Sequence, residues 1–406
     1  MRNLNPVDLG ELYSQEKVFE FQRRLNSSGY FSRVDVSIDA VADPGTDPRS
    51  PFVTGKQRSD GDPDDSSIAT PATDNAPPTP LPREVTLPLR VSVDENKSQQ
   101  ASVGVGFSTN SGPRVALGYN VYNFLGGAKQ LRTTLSFDRL KQLFNADLLW
   151  PQAADGKRYS ISSNVKREDV QNELTKTIQL SGRRAWGPET TERFNSIDYI
   201  YEHKDIEGDR TTSTQTLGTT YGVTLRRTDN LLAPTSGYLA SAQVGGGVRV
   251  QTGQPFGRVY GKGIRYIPVG ADNTLLLRVE LVAVAGPETD TIPSTLLFRA
   301  GGDGSVRGFG YQSLGVRQGD AIVGGRYLAT GTVEGIHWLG PKYPQWGVAV
   351  FVDAGNAGNR FSDLSPQVGY GTGARWRSPV GTLNFDVARG VQNGSVRLHF
   401  SLGVTF

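Results

Sequence analysis

The chain has 406 residues, 36% of them hydrophobic, with 49 glycines, no cysteine and a formal net charge of +3. The longest apolar stretch, Leu275 to Ala285, is interrupted by Arg278 and Glu280 and falls short of the roughly 18 residues a membrane helix needs; a helical membrane protein is excluded, but a barrel, apolar only at alternate positions, is not. Without cysteine there is no disulfide scaffold or thiolate metal site, the small charge gives no case for nucleic acid as a partner, and no cofactor is expected.

Met1 leads directly into polar Arg2-Asn3-Leu4-Asn5-Pro6, which is not a signal peptide. A barrel must cross the inner membrane, so the natural N-terminus is expected further upstream. Residues 10–42 read as a helix and then a strand. Val18, Phe21 and Leu25 share a helical face, Gly29 stands where a C-terminal cap is expected, and Val34, Val36 and Ile38 alternate with polar residues. A closing strand is expected from Val85 to Val93. Between these strands, residues 43–82 carry nine prolines and almost no large apolar residue. Such a segment cannot bury enough surface to offset its ordering entropy, which predicts a disordered insertion.

From residue 101 the texture changes to two-residue alternation. Val103, Val105 and Phe107 alternate with Ser102, Gly104 and Gly106, and Val396, Leu398, Phe400, Leu402, Val404 and Phe406 alternate with Arg397, His399, Ser401, Gly403 and Thr405. Sixteen such segments run from 101–109 to 395–406, including 321–338, 345–354, 367–378 and 380–390. Stretches such as 212–228 far exceed the ~5–6 residues of a typical soluble strand. Tyr119, Trp150, Trp186, Tyr238, Tyr266 and Trp376 are expected to point outward as interfacial girdles. The predicted fold is all-β: a 16-stranded antiparallel transmembrane barrel at 99–406, preceded at 1–98 by a partial α+β domain.

The connection 287–320 carries Gly304-Ser305-Val306-Arg307-Gly308-Phe309, whose glycines allow a tight bend around one arginine. If the connection folds into the lumen, that guanidinium requires carboxylate partners. Strand phase offers two: Glu334, opposite in face to Val333, and Asp353, opposite in face to Val352. Arg375 and Arg377 are also inward; they either extend the charged network or, the reading preferred on sequence alone, are lumen charges solvated by water. The seam is the second constellation. First and last strands must meet, and both carry glycine, Gly104 and Gly106 in the first and Gly403 in the last, which weakens packing.

The Val306-Arg307-Gly308-Phe309 motif, the Phe351-Val352-Asp353-Ala354-Gly355 strand and terminal Phe406 resemble, in order, the loop-six motif, the F-x-D-x-G strand and the terminal aromatic of the BamA/TamA superfamily of outer-membrane assembly factors. Leu25-Asn26-Ser27-Ser28-Gly29-Tyr30-Phe31 and the valines after it resemble the second half of a POTRA domain, and Gly112-Pro113-Arg114 resembles the first hairpin of the TamA branch. The resemblance implies an outer-membrane protein with its POTRA part in the periplasm. Its clients would be outer-membrane proteins such as autotransporters, its partner a TamB-like inner-membrane-anchored protein, and its working part a lateral gate in contact with the lipid bilayer. A two-partner secretion transporter and a general porin remain alternatives. No nucleophile elbow is present, and Gly301-Gly302-Asp303-Gly304-Ser305 lacks the Gly-Lys-Ser/Thr of a phosphate loop, so the chain is not expected to be an enzyme.

Overall fold

The computed structural model describes residues 4–8, 10–38, 88–286, 292–379 and 381–405. The chain divides into two compact units, Met1–Asn96 and Lys97–Phe406. The predicted insertion at 43–82 and the terminal Phe406 lie outside the described residues.

In the first unit, helix α1 (Gln15–Ser27) starts at Ser14, whose hydroxyl accepts from the Lys17 amide, the usual way to satisfy an open helix N-terminus. Gly29 follows the helix with φ 75°, the left-handed conformation that a helix C-terminus favours. Strands β1 (Phe31–Ile38) and β2 (Leu89–Glu95) pair antiparallel. Phe21 and Leu25 bury their helical face against Val34 and Val36, with Leu89, Val91 and Val93 packed beside them. The expected start of the second strand at Val85 lies outside the described residues, and its observed end is Glu95.

The second unit is a closed barrel of sixteen strands. Its first eight are β3 (Gln99–Ser108), β4 (Gly112–Val121), β5 (Gln130–Asp138), β6 (Lys141–Leu149), β7 (Arg158–Val170), β8 (Glu173–Trp186), β9 (Thr191–Ile206) and β10 (Thr212–Thr228). The wall continues with β11 (Gly237–Arg249), β12 (Pro255–Val269) and β13 (Asn273–Ala285). The long connection after β13 contains a two-stranded ladder of β14 (Val316–Gln318) and β15 (Ala321–Val323). The wall resumes with β16 (Tyr327–Leu339), β17 (Tyr343–Gly358), β18 (Gln367–Ser378), β19 (Gly381–Gly390) and β20 (Val396–Thr405), which returns to β3. All wall pairs are antiparallel neighbours in sequence except β13–β16 and the β20–β3 closure.

The alternation in sequence becomes an inside-out surface. Val103, Val105 and Phe107 on β3 and Val348, Val350 and Val352 on β17 stand exposed on the outer face, whereas Asp353, Glu334 and Arg375 are buried inside. An exposed apolar belt around a polar interior fits a wall facing lipid. Among the described residues no helix is long and apolar enough to cross a membrane.

Two expectations need correction. The segment 321–338 is not one strand: Ala321–Val323 pairs with Val316–Gln318, and the wall strand begins at Tyr327. Gly325 lies between, so close to the Gly358 backbone that a side chain there would collide. Tyr266 points inward, lining a lumenal cavity with Arg278 and Glu334. Over the middle of β12, bulky Tyr260, Ile264 and Tyr266 share the inward phase, while Gly261, Gly263 and Arg265 share the phase of exposed Val259. Residue size there misleads about direction.

Candidate functional site

The long connection packs inside the barrel. Val306 and Phe309 are buried against Val282, Val284 and Leu328 of the inner wall, with Ile292, Leu297 and Ala300 from the same connection. Its first part is anchored on β8 and β9. The Ser294 amide donates to Glu202 at 2.6 Å, the Ser294 hydroxyl donates to Glu173 at 2.5 Å, and Arg299 lies 2.8 Å from Glu173. Both glutamates are almost fully buried. They were not singled out in the sequence; their inward phase on long strands was the one available sign.

The motif itself docks on the opposite wall. Arg307, only 3% exposed, forks onto Asp353, with Nε 2.7 Å from Oδ2 and Nη2 3.0 Å from Oδ1. Its backbone N–H also donates to Asp353 Oδ2 at 3.0 Å. Nη1 reaches Glu334 and Asp386, each at 2.9 Å. The guanidinium carbon sits 3.2 Å from the centre of the Phe351 ring. Burial works against the charge on Arg307, but the hydrogen bond and charge of Asp353, with Glu334 and Asp386 behind it, outweigh burial and raise its pKa.

Arg375 completes the cluster. It donates to Glu334 at 2.8 Å and to Asp386 at 2.5 Å and is 1% exposed, so it is not the water-solvated lumen charge expected from sequence. Arg377 instead holds its guanidinium carbon 3.5 Å from the centre of the Trp338 ring. Thus β16, β17, β18 and β19 each supply a charged member, and β20 adds His399, whose Nε2 accepts from the Gly308 amide at 3.0 Å. Asp386 and His399 were legible as inward residues but not as partners of the motif. Nothing in strand phase says which inward residues a folded loop will reach.

The wall is carved to admit the loop. Inward positions 369, 371 and 373 of β18 are all glycine. A Cβ at Gly369 would collide with the Arg307 carbonyl oxygen, and one at Gly371 would fall 2.7 Å from the Phe351 ring. Gly308 has φ 91°, the left-handed region that disfavours other residues, and it turns tightly against Gly390.

The seam has its own peculiarity. β20 pairs with β19 only over Val396–Phe400, five positions, and with β3 only over Ser401–Thr405, five more. Every other neighbouring pair in the wall shares eight or more positions. Gly106 faces Gly403, and Gly104 faces Thr405. At the hand-over, the Phe400 ring stacks on Phe385 of β19 at 4.4 Å and on Phe107 of β3 at 6.4 Å.

The Omp85 superfamily domain matches residues 87–406. The chain belongs to the Omp85 superfamily. Among solved structures, BamA from Haemophilus ducreyi lacking POTRA domains 1–3 superposes with a TM-score of 0.76 at 17% identity, covering 100% of this chain and 81% of that one. CdiB from Acinetobacter baumannii gives 0.58 at 14% identity, over 99% and 70% of the two chains. CdiB from Escherichia coli gives 0.55 at 12%, over 100% and 73%. At these identities the likeness is one of fold. An Omp85 barrel with a partial α+β domain before it is an outer-membrane protein, which agrees with the apolar belt described above.

Proposed function

We propose that this Omp85 protein is an assembly factor of the TamA kind, which helps insert or secrete outer-membrane proteins, autotransporters among them, by opening laterally between β3 and β20. The first unit is then the C-terminal part of a periplasmic POTRA domain, and a TamB-like protein anchored in the inner membrane is its partner. The observation that carries this reading is the division of β20 into two half-ladders that do not overlap. Backbone groups left unpaired at membrane depth are costly, and an unpaired edge templates an incoming strand through main-chain hydrogen bonds. A client strand could extend the β3 edge as β20 leaves it.

In this reading Arg307, with Asp353 and Glu334 as its partners in the wall, locks the Val306–Phe309 motif in the lumen. Gly104, Gly106, Gly403 and Phe406 belong to the gate. A general porin is disfavoured because the buried connection occupies the lumen. No chemistry is involved, so neither a catalytic group nor a nucleotide is required.

The test is a reversible staple. The register places Phe107 opposite Leu402, and a cysteine pair there would be the only thiols in a chain that has none. In liposomes carrying the full chain, oxidation should abolish insertion of an autotransporter client and reduction should restore it. A control pair at Leu135 and Phe144, opposite each other on β5 and β6, should leave insertion unchanged. Full activity in the quantitatively stapled barrel would refute the gate. Export of a soluble protein with no insertion of barrels would point instead to a two-partner secretion transporter.

A further inference from the structure

Where β3 stops at Ser108, β20 runs on along β19 only: among the described residues, Val396 to His399 have no ladder partner on the β3 side. A cavity of about 440 Å³ lies in this gap. Its walls come from both sides of the seam and from the connection: Asn110, Arg139, Gln171, Tyr311, Arg397 and His399. Outward Leu398 lines it as well as inward His399, so its wall draws on both faces of β20.

Its chemistry is one-sided. Arg139 and Arg397 line it, and among the described residues no aspartate or glutamate does; the carboxylate of Asp303, beside it, is engaged by Asn110. Neither arginine forms an ion pair among the described residues. This differs from the lumen below, where the guanidiniums of Arg307 and Arg375 are bound by carboxylates. His399 is 4% exposed and its Nδ1 has no hydrogen-bond partner among the described residues, an uncommon state for a buried polar atom.

We propose that this cavity binds a phosphate group carried by a lipid of the outer leaflet. A phosphate monoester holds close to two negative charges and three acceptor oxygens, and arginine forks match that geometry. Leu398, exposed on the outer face, brings the cavity wall to the lipid side, where a wholly lumenal cavity would not be met by a headgroup. The assignment to the outer leaflet rests on the orientation proposed above: the cavity is at the barrel end away from Gln99, where β3 begins.

The site is tested by binding, independently of any assembly activity. The full chain in neutral detergent is titrated with diphosphorylated lipid A, with its phosphate-free counterpart and with inorganic phosphate, using native mass spectrometry and thermal shift. The phosphorylated lipid should bind at least tenfold more tightly than the phosphate-free one, about the effect of losing one charge-assisted contact. Arg139→Gln with Arg397→Gln should erase that preference, Arg139→Lys with Arg397→Lys should retain part of it, and Arg210→Gln, in the separate β9–β10 turn, should leave it intact. A preference unchanged in the double glutamine variant would overturn the site. Inorganic phosphate matching the lipid in effect would overturn the lipid as its source.

Discussion

Replacing Arg307 by alanine should destabilise the barrel by about 3–5 kcal/mol, the range for breaking a buried ion pair on one side. In the cluster, Arg307 and Arg375 face Asp353, Glu334 and Asp386, so negative charge already exceeds positive by one. Without Arg307 the excess is two, among carboxylates that are at most 5% exposed. Asp353 is left with the backbone N–H of residue 307, which the alanine variant keeps. The variant should therefore still insert and fold, but less stably. Asp353→Asn alone should cost less, because it leaves two guanidiniums facing two carboxylates. Added to Arg307→Ala, it lowers the negative excess from two to the wild-type one and should recover part of the loss, so the pair couples by about 1–3 kcal/mol. Urea unfolding in bilayers, followed by tryptophan fluorescence, measures all three variants, and heat-modifiable gel mobility reports the folded fraction. If the two losses add to within about 0.5 kcal/mol, the charges do not act as a network and the lock reading fails.

Gly308→Ala should lose about 1–3 kcal/mol, since φ is 91° and the new Cβ would fall 2.5 Å from the Gly390 nitrogen; an unchanged urea midpoint would show that the turn adapts. Gly369→Ala should push the motif off the wall, because its Cβ would collide with the Arg307 carbonyl; limited proteolysis near Arg307 should accelerate, and unchanged cleavage would count against tight docking. Deleting residues 46–80 should leave the yield of heat-modifiable barrel unchanged, because seven prolines and scarce apolar residues give that region little to bury; a fall in folded yield would show that it packs.

The wall was legible because a lipid-facing strand must expose apolar groups at every second position. The rule fails where the outer face carries small residues, as at Gly261 and Gly263, and there Tyr266 was given the wrong direction. It also fails where an apolar triplet, Ala321-Ile322-Val323, serves the interior of a connection rather than the wall. Within the site, the inward phase of Glu334, Asp353, Asp386 and His399 could be read residue by residue. Their meeting could not, because it depends on a connection that leaves β13, crosses the lumen and descends on the glycine strip of β18. The solvated reading of Arg375 failed for the same reason: a strand pattern shows which way a side chain points and is silent about what is folded on top of it.

The connection also touches both sides of the seam, and the contacts are unequal. On the β20 side, Gly308 is held by His399 and by the Ser395 hydroxyl, which donates to its carbonyl at 2.8 Å. These sit beside the buried arginine cluster. On the β3 side, Asn110 donates from its side-chain amide to Asp303, a hydrogen bond to a charged group worth about 1.5–3 kcal/mol. Separating β20 from the connection therefore requires disturbing the buried cluster as well, whereas separating β3 requires releasing the Asn110 contact and a five-position ladder. If the barrel opens at this seam, β3 is the strand that departs, and β20 stays with the loop and the β16–β19 wall. The short ladder then lies between a movable first strand and a last strand held from within.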